Sequence, residues 1–206
     1  MPRDQMPDVL HAILDWLPLS YAIDAVNAVT TGTVGRDLPR PHIVIAAVTV
    51  VALGLAALTL HLASRPRNEA AAWTLSWQDP PHNLFVTGSN RSGTVVGRLF
   101  TEDIRERDRN LFIAQVTAAG QEARQSMTEA DVLDMFRVAE SFYEQSEQRP
   151  SRYFRHSEED FVMITAQPDC DLAWLEALDE DDIRRLDSTE TLSLLETRVY
   201  RFACGC

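Results

Sequence analysis

The chain has 206 residues, with 31 Asp and Glu against 19 basic side chains and a net charge of −12. All nineteen basic residues are arginine; five arginines balance five aspartates up to Arg67, and fourteen face twenty-six acidic residues from Asn68 on. DNA affinity rests on neutralising phosphates with positive side chains, so this surface, with no basic run to offset it, excludes nucleic acid as a partner.

Residues 1–41 predict an amphipathic helical and loop segment. Val9, Leu10, Ile13, Leu14 and Leu17 recur at helical spacing, Pro18 breaks the pattern, and Ile23, Ala25, Val26, Ala28 and Val29 resume it. Gly32, Gly35, Pro39 and Pro41 then predict a loop. The first thirty residues hold four aspartates and no long apolar run, unlike a secretory signal. Residues 42–63 carry no charged side chain apart from two histidines, and about 20 apolar residues suffice to span a bilayer. The expectation is a single transmembrane helix lodged in a lipid bilayer, with a buried core helix as the alternative. Arg36 and Arg40 on one side balance Arg65 and Arg67 on the other, so charge does not set its orientation.

Residues 64–72 read as a linker and 73–206 as one acidic domain of ordinary size. Strands are predicted between 73 and 116, with Leu84–Thr87 and Thr94–Phe100 flanking a Gly, Ser and Asn cluster that marks a hairpin turn. Gly88 and Gly93 match the outer glycines of a phosphate loop, but Thr94 stands where that motif needs lysine and a strand follows where it needs a helix. A helix is predicted over 126–148. Ser126 and Glu129 fit a capping box, Val132, Met135, Phe136, Ala139, Phe142 and Tyr143 share one face, and Pro150 stops it. A strand at 161–166, short helices near 179–187 and 188–197, and a β-like run at 199–204 complete the reading. Strands and helices without regular alternation favour α+β. The fold class is therefore an α+β domain preceded by an amphipathic helical segment and one transmembrane helix.

Catalytic constellations are scarce, and an enzyme is not expected. His82 and His156 read as surface or capping residues. Asp179–Asp182 opens a helix, where negative charge suits the dipole. Arg149 and Arg152 read as surface partners of nearby acids. Cys204 and Cys206, two apart, can both ligate a soft metal, yet a structural zinc takes four ligands and this pair is half a site. Cys170 stands apart from the pair.

Two family resemblances run along the chain. Pro2–Pro7, Leu17-Pro18-Leu19-Ser20-Tyr21-Ala22-Ile23-Asp24-Ala25 and Ala57-Leu58-Thr59-Leu60 resemble the C-terminal end of ABC-2-type transporter permeases, over residues 2–62. That resemblance implies a last membrane helix, other permease subunits and an ATPase as partners, and residues from 65 onward in the cytoplasm. Ser146-Glu147-Gln148-Arg149-Pro150 is similar to the helix-ending Ser-Glu-Gln-x-Pro signature of the Hsp33 family of redox-regulated chaperones. Cys204-Gly205-Cys206 resembles the first half of that family's Cys-x-Cys…Cys-x-x-Cys zinc switch, and the likeness covers 73–206. It implies unfolded client proteins as partners and Cys204 and Cys206 as zinc ligands; Cys170 inherits no role. The expectation is a membrane-tethered, single-pass chaperone core with an incomplete redox zinc switch. The alternatives are a permease fragment or an inert hybrid of the two, joined at Arg65–Glu69.

Overall fold

The computed structural model describes residues 39–79, with side chains from 48, then 81–157 and 160–203. The chain divides into two compact units, 1–50 and 51–206. Of the first, the described part is the opening of helix α1 (Pro39–Ala63). The amphipathic stretch expected before it lies outside the described residues.

The second unit continues α1 into β1 (Glu69–Gln78), β2 (Pro81–Ser89), β3 (Thr94–Phe100), β4 (Leu111–Ala118) and β5 (Arg124–Glu129). Then come α2 (Met135–Gln145), β6 (Ser151–Arg155), β7 (Phe161–Thr165), α3 (Leu172–Ala177), α4 (Glu180–Thr189) and the two-residue β8 (Arg201–Phe202). Six strands form one sheet in the order β5-β4-β1-β2-β3-β8, and β6 and β7 form a separate hairpin. Neighbours among β1–β5 are antiparallel, while β8 lies parallel to β3.

Alternation decides which sheet face is covered. Ala71, Trp73 and Leu75 of β1 are buried, and in register beside them lie Leu84 and Val86 of β2 and Phe112, Ala114 and Val116 of β4. With a period of two, all of these point to one face. Two helices cover it. α2 brings Phe142, whose ring lies 6.0 Å from Trp73 and 5.5 Å from Phe112. α1 presses Ala57, Leu58, His61 and Leu62 into full burial.

Glycines on the sheet set how closely α1 approaches. A Cβ on Gly88 would stand 2.6 Å from Leu62 Cδ1 and 2.7 Å from Val95 Cγ1. One on Gly97 would meet Val51 Cγ1 at 2.9 Å and Leu55 Cγ at 3.0 Å. The carbonyl end of α1 is capped from afar. Asn90 Nδ2, in the β2–β3 turn, donates to the carbonyls of Leu62 (2.8 Å), Arg65 (3.2 Å) and Pro66 (2.9 Å). Arg198 Nη1 donates to Leu62 O (3.1 Å) and Arg65 O (2.7 Å), supplying the cation that suits a helix C-terminus.

The transmembrane expectation is overturned. Among the described residues no helix is long and apolar enough to cross a membrane. The stretch is apolar because, from Val51 on, its residues pack against protein; the carbonyl end carries a buried histidine and rests on glycine-bearing strands. The single-pass placement with a cytoplasmic domain falls with it. The described residues form an α+β fold of eight strands and four helices.

Two further expectations are corrected. Ser126 and Glu129 do not cap a helix; they sit on β5, opposite Ala114 and Leu111 of β4. The helix starts later, where the Asp134 carboxylate accepts the amides of Phe136 (2.9 Å) and Arg137 (3.3 Å). The open edge of β4 claims 124–129 for the sheet, and Asp134 offers the next competent cap. Nor is there a helix at 188–197: α4 ends at Thr189 and residues 191–200 have no regular structure.

A second, smaller core lies under the β6–β7 hairpin, where Phe154, Ala166, Leu175, Leu178 and Ile183 pack with Val162 and Ile164. Arg152 belongs to this layer. Its guanidinium donates to the carbonyls of Leu175, Glu176 and Leu178 at the end of α3, and its Nε also stands 3.9 Å from Glu140 Oε1, an acidic partner of the kind expected.

Gly88→Ala should destabilise the chain by about 1–3 kcal/mol, because Val95 and the Thr94 carbonyl cannot yield as the tip of Leu62 can. Denaturant melts of the variant and the parent measure it; equal midpoints would show that α1 does not lie this close.

Candidate functional site

The Ser-Glu-Gln-x-Pro stretch forms the end of α2. Ser146 N–H donates to Phe142 O (2.9 Å), and Glu147 and Arg149 N–H donate to Phe142 O (3.4 Å) and Tyr143 O (3.0 Å). The chain then leaves the helix through Gln148, at φ 50°, a left-handed conformation that side-chain-bearing residues rarely adopt. Pro150 cannot continue a helix, and its carbonyl accepts Ala166 N–H (2.8 Å) at the mouth of the β6–β7 hairpin.

Glu147 ties this turn to the end of α1. Its Oε2 accepts Arg65 Nη1 (3.1 Å), while Arg65 Nε donates to Glu69 Oε2 (2.7 Å). Burial works against the charge on Arg65, but the Glu69 hydrogen bond and the two carboxylates outweigh it and raise its pKa above the ordinary value.

One layer deeper, His61 Nδ1 and Tyr143 Oη hydrogen-bond at 2.7 Å. The imidazole is fully buried, with Trp73, Tyr143 and Phe142 rings 4.9, 5.6 and 6.2 Å away. Burial, with the charges of Arg65 and Arg149 adding to it, lowers its pKa from 6.5 to about 3. His61 is therefore neutral at physiological pH, and burial likewise raises the pKa of the Tyr143 phenol. This pair holds α1 against the signature helix.

The signature also shapes a groove of about 350 Å³, lined by Glu147, Arg149, Pro150, Gln167, Asp169 and Cys170 among others. Cys170 is an exposed free thiol and Asp169 is left-handed at φ 66°. The sequence reading set Cys170 apart from the signature, but antiparallel pairing of Ser151 with Thr165 returns the chain to Pro150 and brings the two loops together. The two β-prone runs at 151–155 and 161–165 were the signal for that pairing.

The other candidates are scattered. His82 lies on β2 opposite Trp77, and His156 N–H donates to Asp160 O (2.9 Å) in the β6–β7 turn. Asp179 and Asp182 stand at the opening of α4 as expected, where they form a capping box. Cys204 and Cys206 lie outside the described residues. Among the described residues no group of three or more His, Cys, Asp or Glu could hold a metal.

Beyond α4 residues 191–200 have no regular structure, with Leu194 and Leu195 86% and 95% exposed and Leu192, Val199 and Phe202 also exposed. Its second half is tied down. Glu196 pairs with Arg67 and Arg198, Arg198 reaches the carbonyls of α1, and Tyr200 Oη donates to Asn90 Oδ1.

The depressed His61 pKa makes stability pH-dependent. Between pH 6.5 and about 3 the unfolded chain binds a proton that the folded chain refuses, so stability is retained above pH 6.5 and lost as pH falls. The loss should approach about 1.4 kcal/mol per pH unit. His61→Phe should flatten that slope, whatever its effect on stability at pH 7; parallel stability–pH curves would place a charged imidazole in the folded chain.

No family model matches the chain, and no curated protein matches it in sequence. Among solved structures it is similar to the 33 kDa chaperonin (heat shock protein 33 homolog) of Thermotoga maritima. The TM-score is 0.50 at 12% identity, covering 76% of this chain and 68% of that one. The stretch that carried the permease resemblance lies largely outside the described residues. The fold of this chain is Hsp33-like.

Proposed function

We propose that this chain is a chaperone core that binds unfolded proteins. The observation that carries the reading is the stretch 191–202, which holds Leu192, Leu194, Leu195, Val199 and Phe202 out to solvent on an otherwise acidic molecule. Contiguous exposed apolar side chains mark an interaction surface. The Hsp33-like fold and the Ser146, Glu147, Gln148 and Pro150 signature at the end of α2 support the same reading.

Binding of this kind needs no catalytic group. Apolar side chains of the client exchange water for Leu194 and Leu195, and the surplus of carboxylates keeps the loaded complex dispersed. A redox control would rest on Cys204 and Cys206, whose thiolates would supply two of the four ligands of a structural zinc. The other two would have to come from outside that pair.

Suppression of the aggregation of a heat-unfolded client by the full chain, reduced and peroxide-treated, tests the reading. Suppression is expected, and the double variant L194S/L195S should bind client at least about tenfold more weakly, since each leucine buried is worth more than that factor. Both side chains are exposed, so the fold should be indifferent to the change. No suppression in either redox state would end the proposal. Suppression only after oxidation would assign the cysteines a switching role.

A further inference from the structure

The two edges of the large sheet are finished differently. β5 carries Arg124 and Glu129 at its ends, and Glu129 pairs with Arg109, the charged edge that discourages further strands. β3 has the sequence Thr-Val-Val-Gly-Arg-Leu-Phe, and β8 covers only its first two residues, pairing Arg201 with Thr94 and Phe202 with Val95. Arg201 N–H donates to Gly93 O (2.8 Å) and Ala203 N–H to Val95 O (3.0 Å).

Outward backbone groups recur every second residue along a strand, so the N–H and C=O of Gly97 and Leu99 face the same way as those of Val95. Among the described residues they meet no backbone partner. Among the described residues, the edge that already holds a strand is open beyond Val95.

We propose that the β3 edge from Val96 to Phe100 takes an extended stretch of an unfolded client as an added strand. The proposal rests on the chaperone reading and gives it a mode of recognition. The chain's own tail shows what the edge selects. Arg201 and Phe202 are held by main-chain hydrogen bonds while both side chains stay exposed, Phe202 by 74%. Recognition through the backbone is indifferent to sequence, as a binder of many unfolded chains requires. β8 lies at the start of the same edge, so a client strand would continue it or displace it.

Amide exchange of the full chain, alone and with a soluble alternating Val/Thr peptide, tests the edge directly. The Gly97 and Leu99 amides should exchange freely in the chain alone and slow at least about tenfold when the peptide is saturating. Leu99→Pro removes one outward donor at a position where an edge strand tolerates proline, and should weaken peptide binding about tenfold. Leu99→Ala, which keeps the amide, should cost less than about threefold. Should Leu99→Pro fail to fold, the exchange pattern of the parent chain decides alone. Amides already protected before peptide is added would mean that the tail or a second copy fills the edge, and would overturn the proposal. So would peptide binding with no slowing at either amide. Client suppression without protection at Gly97 and Leu99 sinks the edge and spares the chaperone reading; protection without suppression does the reverse.

Discussion

The closeness of α1 to the sheet is the constraint on which the rest of the 51–206 unit depends. Gly88 and Gly97 remove the two side chains that would hold the helix off, and Leu62, Leu55 and Val51 fill the space. Only at that separation does His61 reach Tyr143 and join the rings of Trp73 and Phe142. A close-packed interior transmits a displacement of a methyl's width to every neighbour. The position of α2, and with it the signature turn, follows from the seat of α1.

Much of the sheet was legible because one of its faces is buried and the other is not. Alternation through Trp73, Leu75, Leu84 and Val86 is a period-two signal that only a strand satisfies. The apolar face of α2 was equally plain, but its start was not. Ser126 and Glu129 carry the spacing of a cap, and only the edge of β4 reveals that they belong to a strand. Residues 42–63 failed for a related reason. An apolar helix in lipid and one packed on protein share a composition, and what separates them here is the matching glycines of β2 and β3 and a histidine buried against a tyrosine. Those partners lie 26 to 82 positions away from their contacts on α1, beyond any local window.

The candidate site divides in the same way. Ser146, Glu147, Gln148 and Pro150 were readable as a helix end because a proline stop leaves a local mark, while the left-handed exit at Gln148 was not. The approach of Cys170 to that turn was not, since it depends on the pairing of β6 with β7. Nor did the leucines after α4 announce their exposure. Their spacing suits a helix face, but the hairpin layer closes its own core with Leu175, Leu178 and Ile183 without them. The molecule leaves Leu192, Leu194 and Leu195 exposed and ties 196–202 to the end of α1 and the edge of β3, so an exposed apolar stretch sits beside an anchored one.

That tie has a consequence for the order of events on the ribosome. Leu62 and the Arg198 guanidinium that meets its carbonyl are 136 positions apart. While the chain is being made, α1, β1 and the β2–β3 turn emerge first, and Asn90 alone can serve the carbonyl end of the helix. Contacts between distant positions carry the entropy of the loop between them, so they form late. The nascent protein therefore passes through a stage in which the sheet and α1 are assembled but the final turn of α1 is capped by one side chain instead of two. Synthesis closes the molecule from its far end, and Arg198 is the latch.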